Sequence, residues 1–356
     1  MKIYQMTPSI SYGDAVSNDV LAIDTVIRQM GIPTGIYAEG IAEKVKNRAV
    51  SWNKMKPQKE DVIIYHQAIG NDMCLRLKDF PCRKIMVYHN ITPPHFFQGY
   101  SKQTQWATAY GLECTKQMAP YMDYCLADSE FNKQDLRRRG YTCPIDVRPV
   151  LIPYEDYKRE PDAKTIKMYD DDFLNILFVG RVAPHKKQED IIRAFCYYNR
   201  NINKKSRLFL VGSDGGMESY SAALKKYVRE LGLEEAVLFK GHVGFQEILA
   251  YYSVADLFLC MSEHEGFCVP LIEAMLFDVP VMAYSSTAIP YTLGGSGVLL
   301  EEKDPVFVGM MMDRVLQNPA LKARILQTQE QRLEDFSYEN VRALLIRLLQ
   351  NFLESK

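Results

Sequence analysis

The segment Leu257-Phe-Leu-Cys-Met-Ser-Glu-His-Glu-Gly-Phe-Cys-Val-Pro-Leu-Ile-Glu-Ala-Met275 runs from a buried strand through a polar turn into a helix. The helix is predicted to begin near Pro270, because proline is favoured at the first helical position. The backbone N–H groups of residues 267–269 would then have no partner inside the helix, and such helix starts attract anions, above all phosphate. Gly266 would let the chain approach a ligand closely. The segment therefore predicts an anion site at the carboxyl end of a strand.

Similar strand-to-helix units occur along the whole chain, and their alternation is typical of βαβ units in a parallel sheet. The alternation stops at residues 153–172, a polar stretch with prolines at 153 and 161 that we predict to be a linker. We therefore expect an α/β protein with two doubly wound parallel-sheet domains in tandem, residues 1–155 and 173–335, and a ligand cleft between them. The predicted strands are 3–6, 36–38, 62–65, 85–88, 124–127, 147–152, 174–179, 208–211, 237–239, 257–260, 279–283 and 297–299.

The composition is that of an ordinary folded protein. The chain has 356 residues, of which 47% are apolar and 24% charged, enough for two domains with cores of their own. Its eight cysteines include no C-x-x-C pair, so we expect reduced thiols and no metal site. The chain opens on a strand-like run without a basic and apolar leader, and no stretch approaches about 18 consecutive apolar residues. These features predict a cytoplasmic protein with, at most, peripheral membrane contact.

The charge balance argues against nucleic acid as a partner, because a formal net charge of −1 provides no overall basic field. The charge is spread unevenly: residues 1–152 carry 19 basic and 15 acidic side chains, and the remainder has an acidic excess. This asymmetry fits an N-terminal half that faces an anionic partner, such as the inner face of a membrane, and it fits ordinary variation between loops equally well.

A second anion-binding feature begins at Gly180. Arg181 follows the end of a strand, and Lys186 lies in the same loop before the next helix. Arginine can grip a phosphate with two hydrogen bonds and lysine adds a mobile charge, so the loop predicts a diphosphate site, with a solvated basic loop as the alternative. The turn at 211–217, which contains Gly212, could line a nucleotide. G-x-G-x-x-G, the P-loop motif and H-E-x-x-H are absent, which argues against a dinucleotide oxidoreductase, a P-loop ATPase and a zinc protease.

The first segment, Leu257–Met275, also contains two carboxylates that could bind a ligand. Glu265 precedes the predicted helix and Glu273 lies in its first turn, so the two do not share a helical face and are poor candidates for the acid and base of a glycosidase. Ionised carboxylates here can accept hydrogen bonds from sugar or ribose hydroxyl groups. The alternative is that Glu273 only complements the helix dipole and that Glu265 is solvated.

Polar residues also follow the strands of the N-terminal half. Gly13 permits a tight turn after the first strand, and Asp14 is predicted to cap the next helix. His89 comes just past a strand end, in a loop whose threonine and two prolines indicate a rigid ligand loop. His66 ends the preceding strand, and we interpret it first as a structural residue with satisfied hydrogen bonds. The residues considered as acceptor contacts are His66, Asn90 and Thr92.

Together these residues resemble family 4 of the glycosyltransferases, also described as glycosyl transferase group 1, whose members are retaining enzymes of the GT-B fold. Gly180-Arg181 followed by Lys186 resembles the family's G-R-x-x-x-x-K element, and the segment Glu265–Glu273 resembles its E-x(7)-E element. The resemblance implies two Rossmann-like domains, the N-terminal one for an acceptor and the C-terminal one for a nucleotide-sugar donor. It also implies that a C-terminal helix at 336–356 packs back toward the N-terminal domain.

The resemblance also assigns roles to these residues. It implies that Arg181 and Lys186 offset the charge of the donor diphosphate as it leaves. Glu265 would hold hydroxyl groups of the transferred sugar, Glu273 would hold the ribose, and His89 would lie beside the sugar. The implied catalytic set is Glu265, His89, Arg181 and Lys186. The implied donor-binding set is Gly13, Asp14, Gly180, Arg181, Lys186, Gly212, Glu265, Gly266, Phe267, Cys268, Val269 and Glu273.

The implied activity is transfer of a hexose from a UDP-sugar or GDP-sugar to a hydroxyl group of a saccharide or lipid-linked acceptor, with retention, in surface polysaccharide or other glycan biosynthesis. The sugar–phosphate bond would loosen, the acceptor would attack from the leaving-group face, and the departing phosphate would take the proton. Such a reaction needs neither a dedicated base nor a metal. No cofactor is expected, because the nucleotide-sugar is a co-substrate.

Other hypotheses fit the same residues. A sugar-nucleotide epimerase or hydrolase on the same scaffold would use the donor site without an acceptor. A non-catalytic nucleotide-sugar binding subunit would serve a partner transferase, and a simple nucleotide-binding module would not need Glu265. The sequence leaves the sugar, the nucleotide, the acceptor and the oligomeric state open.

Overall fold

The computed structural model describes residues 1–355 and divides into two compact units. The first consists of Met1–His95 and Lys102–Ile152 and is completed by the chain from Phe336 onward, whereas the second consists of Phe96–Ser101 and Pro153–Asp335. Each unit contains one sheet in which every strand pair is parallel. The expected pair of parallel-sheet α/β domains is thus confirmed.

The first sheet has seven strands and the second has six. Seven strands precede residue 150: β1 (Ile3–Ile10), β2 (Thr34–Ile41), β3 (Ala49–Ser51), β4 (Val62–Gln67), β5 (Arg83–Tyr88), β6 (Tyr124–Ala127) and β7 (Ile145–Val147). The others are β8 (Leu174–Val179), β9 (Ser206–Val211), β10 (Val237–Gly241), β11 (Leu257–Cys260), β12 (Val281–Tyr284) and β13 (Val298–Leu300).

Helices connect the strands and cover the sheets. The first six are α1 (Ala15–Gln29), α2 (Lys102–Met118), α3 (Glu130–Arg138), α4 (Ala163–Tyr169), α5 (Gln188–Asn201) and α6 (Glu218–Glu230). The last six are α7 (Phe245–Ser253), α8 (Val269–Leu276), α9 (Ile289–Leu293), α10 (Pro305–Gln317), α11 (Pro319–Asp335) and α12 (Tyr338–Glu354). None of the helices within residues 1–355 combines the length and apolar character needed to cross a bilayer.

Both sheets reverse their strand order next to their first strand. The first has the order β3-β2-β1-β4-β5-β6-β7 and the second β10-β9-β8-β11-β12-β13, so the reversals lie between β1 and β4 and between β8 and β11. In open α/β sheets, ligands bind where the loops diverge at such a reversal, beyond the carboxyl ends of the strands. In the second unit, those loops are the two that carry the predicted anion-binding residues.

The final helix, α12, is part of the first unit because its apolar face is buried there. Leu345 and Leu349 are fully buried in one cluster with Ile23 and Ile27 of α1. Arg83 stacks over the Phe352 ring at 4.3 Å and donates to the Phe352 carbonyl at 2.8 Å. The helix therefore closes one face of the first sheet.

Several predicted elements are wrong in detail. The predicted linker holds α4, and the Asp162 N–H that precedes this helix donates to the Gln246 carbonyl at 2.9 Å, so the segment is ordered within the second unit. The strand predicted at 147–152 is replaced by β7 at Ile145–Val147, because Pro149 cannot donate to a strand ladder. Neither β3 nor α9 was predicted; these elements have only three and five residues.

Candidate functional site

The two sequence motifs of the second unit meet in a buried ion pair. The Lys186 ammonium nitrogen lies 2.6 Å and 2.7 Å from the two carboxylate oxygens of Glu265. Their side chains are 17% and 8% exposed. Burial alone would lower the pKa of Lys186, but the Glu265 carboxylate outweighs it and raises that pKa above its usual value. Lys186 therefore carries a positive charge, for which an anion would compete with Glu265.

Glu265 is held in position by the loop that follows β12. Its backbone N–H donates to the Thr287 hydroxyl at 2.8 Å. Thr287 has a positive φ of 44°, and the neighbouring Ser286 hydroxyl donates to the Ser262 carbonyl at 2.6 Å. These contacts join two loops at the carboxyl edge of the sheet. Sequence reasoning missed both residues, because an isolated serine and threonine in a loop form no motif.

The loops after β8 and β9 touch through their glycines. A Cβ atom on Gly212 would lie 2.0 Å from the Gly180 carbonyl oxygen, so only glycine fits there. Val182 N–H donates to the Ser213 carbonyl at 2.9 Å. Arg181 is exposed, and its guanidinium donates to the Gly215 carbonyl at 2.5 Å. The structure thus brings the predicted arginine onto the glycine turn and leaves the rest of its guanidinium open to solvent.

Helix α8 begins one residue earlier than predicted. Val269 is its first residue, and Pro270 is the second. Cys268 precedes the helix and has a φ of 74°, a left-handed backbone conformation that residues other than glycine seldom adopt. A glycine would adopt this conformation without strain. The Phe267 carbonyl accepts a hydrogen bond of 2.5 Å from the Thr292 hydroxyl, which fixes the turn.

Three potential metal ligands converge beneath this turn. The thiols of Cys260 and Cys268 and a carboxylate oxygen of Glu265 lie within 4.8 Å of one another, and all three residues are buried. The neighbouring Cys260 thiol and burial raise the pKa of Cys268 well above its ordinary value. The Lys186 ammonium already holds both Glu265 oxygens, so a cation bound here would face another positive charge.

Glu273 lies in a different environment from the one expected. It is in the second turn of α8 rather than the first, and its two oxygens accept hydrogen bonds of 2.7 Å from the Tyr157 and Tyr252 hydroxyl groups. Burial raises the pKa of Glu273 above its usual value, although both tyrosine hydrogen bonds oppose the shift. The two tyrosines come from the predicted linker and from α7, and nothing in their local sequence indicated the contact.

The predicted turn after β1 forms in the first unit. Gly13 has a φ of 91°, and Asp14 caps α1 by accepting a hydrogen bond of 2.8 Å from the Ser17 N–H. The capping prediction for Asp14 is therefore confirmed. Ser11 donates to the other carboxylate oxygen of Asp14 at 2.6 Å. Both Gly13 and Asp14 are exposed, as a turn that contacts a ligand requires.

The residues considered as acceptor contacts are mostly turned inward. His66 is fully buried and its two ring nitrogens contact Gln5 and His89. Asn90 is 8% exposed, and its amide donates to Asn132 at 2.7 Å. Thr92 is half-buried. Contact of His66 or Asn90 with an acceptor would require these hydrogen bonds to break, whereas Thr92 has part of its surface free.

His89 belongs to a buried cluster that the sequence did not reveal. Its side chain is 4% exposed, and its Nδ1 lies 2.7 Å from a carboxylate oxygen of Asp128. Asp128 also contacts the fully buried Arg148, which pairs with Asp19 of α1. The only hint in the sequence was Asp19 itself, an acidic residue on the apolar side of an amphipathic helix.

The comparisons with known proteins agree with this geometry. A family model described as "Glycosyl transferases group 1" matches residues 161–332. Residues 161–332 therefore resemble a group 1 glycosyltransferase domain. The matched span contains Arg181, Lys186, Glu265 and Glu273, and it begins within the predicted linker, next to α4.

Curated relatives align with slightly less than half of the chain. The D-inositol 3-phosphate glycosyltransferase of Streptomyces avermitilis is 26% identical over 174 residues, which are 47% of this chain and 38% of that protein. The O-antigen chain mannosyltransferase B of Escherichia coli is 24% identical over 164 residues, 46% of this chain and 42% of that protein. This chain therefore aligns with less than half the length of these relatives.

Solved structures match this chain over its whole length. HepE of Anabaena, in complex with UDP and glucose, superposes with a TM-score of 0.78 at 16% identity and covers 99% of this chain and 100% of its own. The sucrose-phosphate synthase of Thermosynechococcus elongatus has a TM-score of 0.76 at 17% identity and covers 100% of both chains. The fold is accordingly that of the GT-B glycosyltransferases, as the resemblance implied.

Proposed function

We propose that this protein is a retaining glycosyltransferase that moves a hexose from a nucleotide-diphosphate sugar to a hydroxyl group of a saccharide or lipid-linked acceptor in glycan biosynthesis. The observation that carries the proposal is the Lys186–Glu265 pair, which lies at the strand reversal of the group 1 domain with Arg181 on the neighbouring loop. A cation and a carboxylate side by side suit a ligand that is anionic at one end and rich in hydroxyl groups at the other.

Different residues would bind the two ends of this ligand. Arg181 and Lys186 offset the diphosphate charge, which grows on the leaving oxygen as the sugar–phosphate bond breaks. Once Lys186 turns to the phosphate, the oxygens of Glu265 are released and can accept hydrogen bonds from sugar hydroxyl groups. After this exchange Lys186 is paired with the phosphate, and the Glu265 carboxylate accepts hydrogen bonds from neutral hydroxyl groups. Glu273 would bind the ribose through its oxygens beside Tyr157 and Tyr252.

The relatives indicate the class of donor. HepE of Anabaena was solved with UDP-glucose and with UDP and glucose, and the pneumococcal O-GlcNAc transferase GtfA with UDP and GlcNAc. We therefore expect a uridine nucleotide to be preferred over GDP. The cations supplied by Arg181 and Lys186 make a metal-independent reaction the simplest hypothesis. Sugar-nucleotide hydrolysis without an acceptor, and donor binding without catalysis, are the alternatives that the experiment must separate.

The test begins with thermal shift measurements with UDP, GDP, ADP and dTDP, with and without EDTA, because a ligand that binds the native state raises the melting temperature. We expect stabilisation by UDP that survives EDTA and disappears in Arg181→Ala. Lys158→Ala, at an exposed surface pair, is the matched control and should retain the shift. No shift with any nucleotide would overturn the donor site.

The second step uses the nucleotide that binds. UDP-glucose labelled at the anomeric carbon is incubated with acceptor mixtures, and the anomeric configuration of the product is read by NMR. Transfer with retention supports the proposal. Release of free glucose alone would favour a hydrolase, a changed sugar nucleotide would favour an epimerase, and unaltered donor with every acceptor would favour a binding subunit.

A further inference from the structure

A continuous chain of buried hydrogen bonds crosses the first unit from Gln5 inside β1 to the ends of β4, β5 and β6. Gln5 Oε1 lies 3.1 Å from His66 Nε2, and His66 Nδ1 lies 3.2 Å from His89 Nε2. The other nitrogen of His89, Nδ1, lies 2.7 Å from Asp128. Both imidazoles therefore have both of their nitrogens engaged within the protein.

The charged end of this chain contains more acid than base. Arg148 donates to the two oxygens of Asp19 at 2.7 Å and 2.6 Å and reaches Asp128 at 3.3 Å. Arg148 and Asp19 are fully buried, and Asp128 is 3% exposed. Two carboxylates thus share one guanidinium, which leaves one negative charge to be balanced in a region without solvent. An uncompensated buried charge is strongly destabilising, so a second cation is expected.

The hydrogen-bond directions show where that cation lies. Gln5 Oε1 can only accept, so Nε2 of His66 carries a hydrogen and Nδ1 of His66, in a neutral ring, accepts. His89 Nε2 must then donate to His66, while His89 Nδ1 donates to the Asp128 carboxylate. A histidine that donates from both nitrogens is an imidazolium.

We propose that His89 is held as a buried imidazolium, and that Asp128 and His66 are the positioning residues that fix its charge and its ring. The cluster of Asp19, Asp128, Arg148 and His89 is then neutral. The surrounding groups favour this charge. Burial alone would lower the pKa of His89, but the carboxylates of Asp128 and Asp19 raise it above its ordinary value. Burial and the neighbouring His89 lower the pKa of His66 well below its ordinary value, as a neutral ring requires.

One competing arrangement exists. If the Gln5 amide were rotated, its NH2 group would donate to His66, His66 would donate to His89, and His89 would be neutral. That arrangement would satisfy Gln5 Nε2, which is buried without a partner in the structure. It would also leave one buried negative charge unbalanced. A single unpaired N–H destabilises the protein less than an uncompensated buried charge does, so the imidazolium arrangement is favoured.

One consequence rests on the proposed function. An imidazolium that donates from both nitrogens has no lone pair with which to take a proton from the acceptor. His89 therefore cannot serve as general base in the transfer, which agrees with the proposed transfer of the acceptor's proton to the departing phosphate oxygen. His89 instead places a fixed positive charge behind the loop that follows β5.

The experiment is long-range ¹H–¹⁵N NMR of the full-length protein labelled at histidine, which reports the protonation of each ring nitrogen without any need for activity. Among the six histidines, we expect at pH 7.5 that His89 has both ring nitrogens protonated and that His66 is neutral with its proton on Nε2. His89→Gln should remove the first pattern and His66→Gln the second, whereas His242→Gln, at an exposed site, should remove neither. If the first two variants do not fold, correlations from ring to backbone in the wild type make the same assignment.

Asp128→Asn tests the positioning role. We expect the imidazolium pattern of His89 to be replaced by a neutral one at pH 7.5 and any transferase activity to fall at least tenfold, while stabilisation by a nucleotide in the second unit persists. A neutral His89 in the wild type would overturn the inference whether or not the protein is a transferase. A wild-type imidazolium that survives Asp128→Asn would overturn the positioning role, and loss of nucleotide binding in the wild type would bear only on the proposed function.

Discussion

The Lys186 ammonium lies 2.6 Å and 2.7 Å from the two carboxylate oxygens of Glu265, although 79 residues separate them in the chain. Both side chains are largely buried, and the Glu265 carboxylate raises the pKa of Lys186 above its usual value. The pair therefore links the stability of the second unit to its proposed donor site. In the absence of ligand the two groups neutralise each other, whereas a diphosphate would compete for Lys186 and a sugar for Glu265.

Removing one partner of this pair should destabilise the protein. In Lys186→Met the Glu265 carboxylate is left buried without a counter-ion, and we expect a loss of about 3 kcal/mol in the free energy of unfolding, measured by urea denaturation. The double variant Lys186→Met/Glu265→Leu should recover most of it, because neither charge remains. Lys158→Met breaks an exposed pair with Glu155 and should change nothing measurable. Equal losses in the single and double variants would show that packing, rather than charge, is responsible.

Glu273 should make stability depend on pH. Its pKa in the folded protein is raised above the ordinary value of 4.5, so between those two pKa values the native state holds a proton that the unfolded chain releases. Stability contributed by the protonated form is therefore lost as the pH rises through the folded-state pKa. In Glu273→Gln this loss is absent, and its melting temperature relative to the wild type should increase from pH 4.5 to pH 7.5.

The control for this titration is Glu234→Gln, at an exposed position. Its melting temperature should follow that of the wild type at every pH. Parallel curves for Glu273→Gln and the wild type would mean that the Glu273 carboxyl group is not the one that titrates. The same Glu273→Gln protein should bind the nucleotide more weakly if this carboxylate holds the ribose.

Gly212→Ala should disturb the turn that follows β9. The new methyl carbon would lie 2.0 Å from the Gly180 carbonyl oxygen, at a φ of +150°, so the loops after β8 and β9 must separate and carry Arg181 with them. We expect a lower melting temperature and a smaller shift with UDP. Gly215→Ala meets only the Ser213 hydroxyl, at 3.4 Å, and should keep both values close to those of the wild type. An unchanged UDP shift in Gly212→Ala would separate this turn from the binding site.

The last helix should contribute strongly to the stability of the first unit. Leu345 is fully buried against α1, and Leu345→Ala is expected to cost about 3 kcal/mol in the free energy of unfolding through lost burial and the cavity that remains. Leu344→Ala, at a half-buried position on the same helix, should cost less than half as much. Similar losses in the two variants would indicate that α12 is held by its backbone and not by this apolar face.

Local patterns were sufficient wherever an element and its ends are decided by neighbouring residues. The strand at Leu257–Cys260 and the cap at Asp14 appear in the structure as predicted. Each depends on an apolar run or a capping side chain within about ten residues. The short helix α4 was not predicted because the sequence around it is polar. Its apolar contact is with a part of the second unit that is distant along the chain.

The sequence by itself determined the two α/β units and the chemistry available at their strand ends, because alternating strands and helices permit few arrangements and glycine, arginine, lysine and glutamate have fixed chemical capacities. Only the tertiary structure decided which of those groups are paired. Glu273 faces two tyrosines, and His89 joins a buried cluster with Asp128, Arg148 and Asp19. Protonation and hydrogen bonding depend on burial and on partners far apart in the chain, and no local pattern encodes those distances.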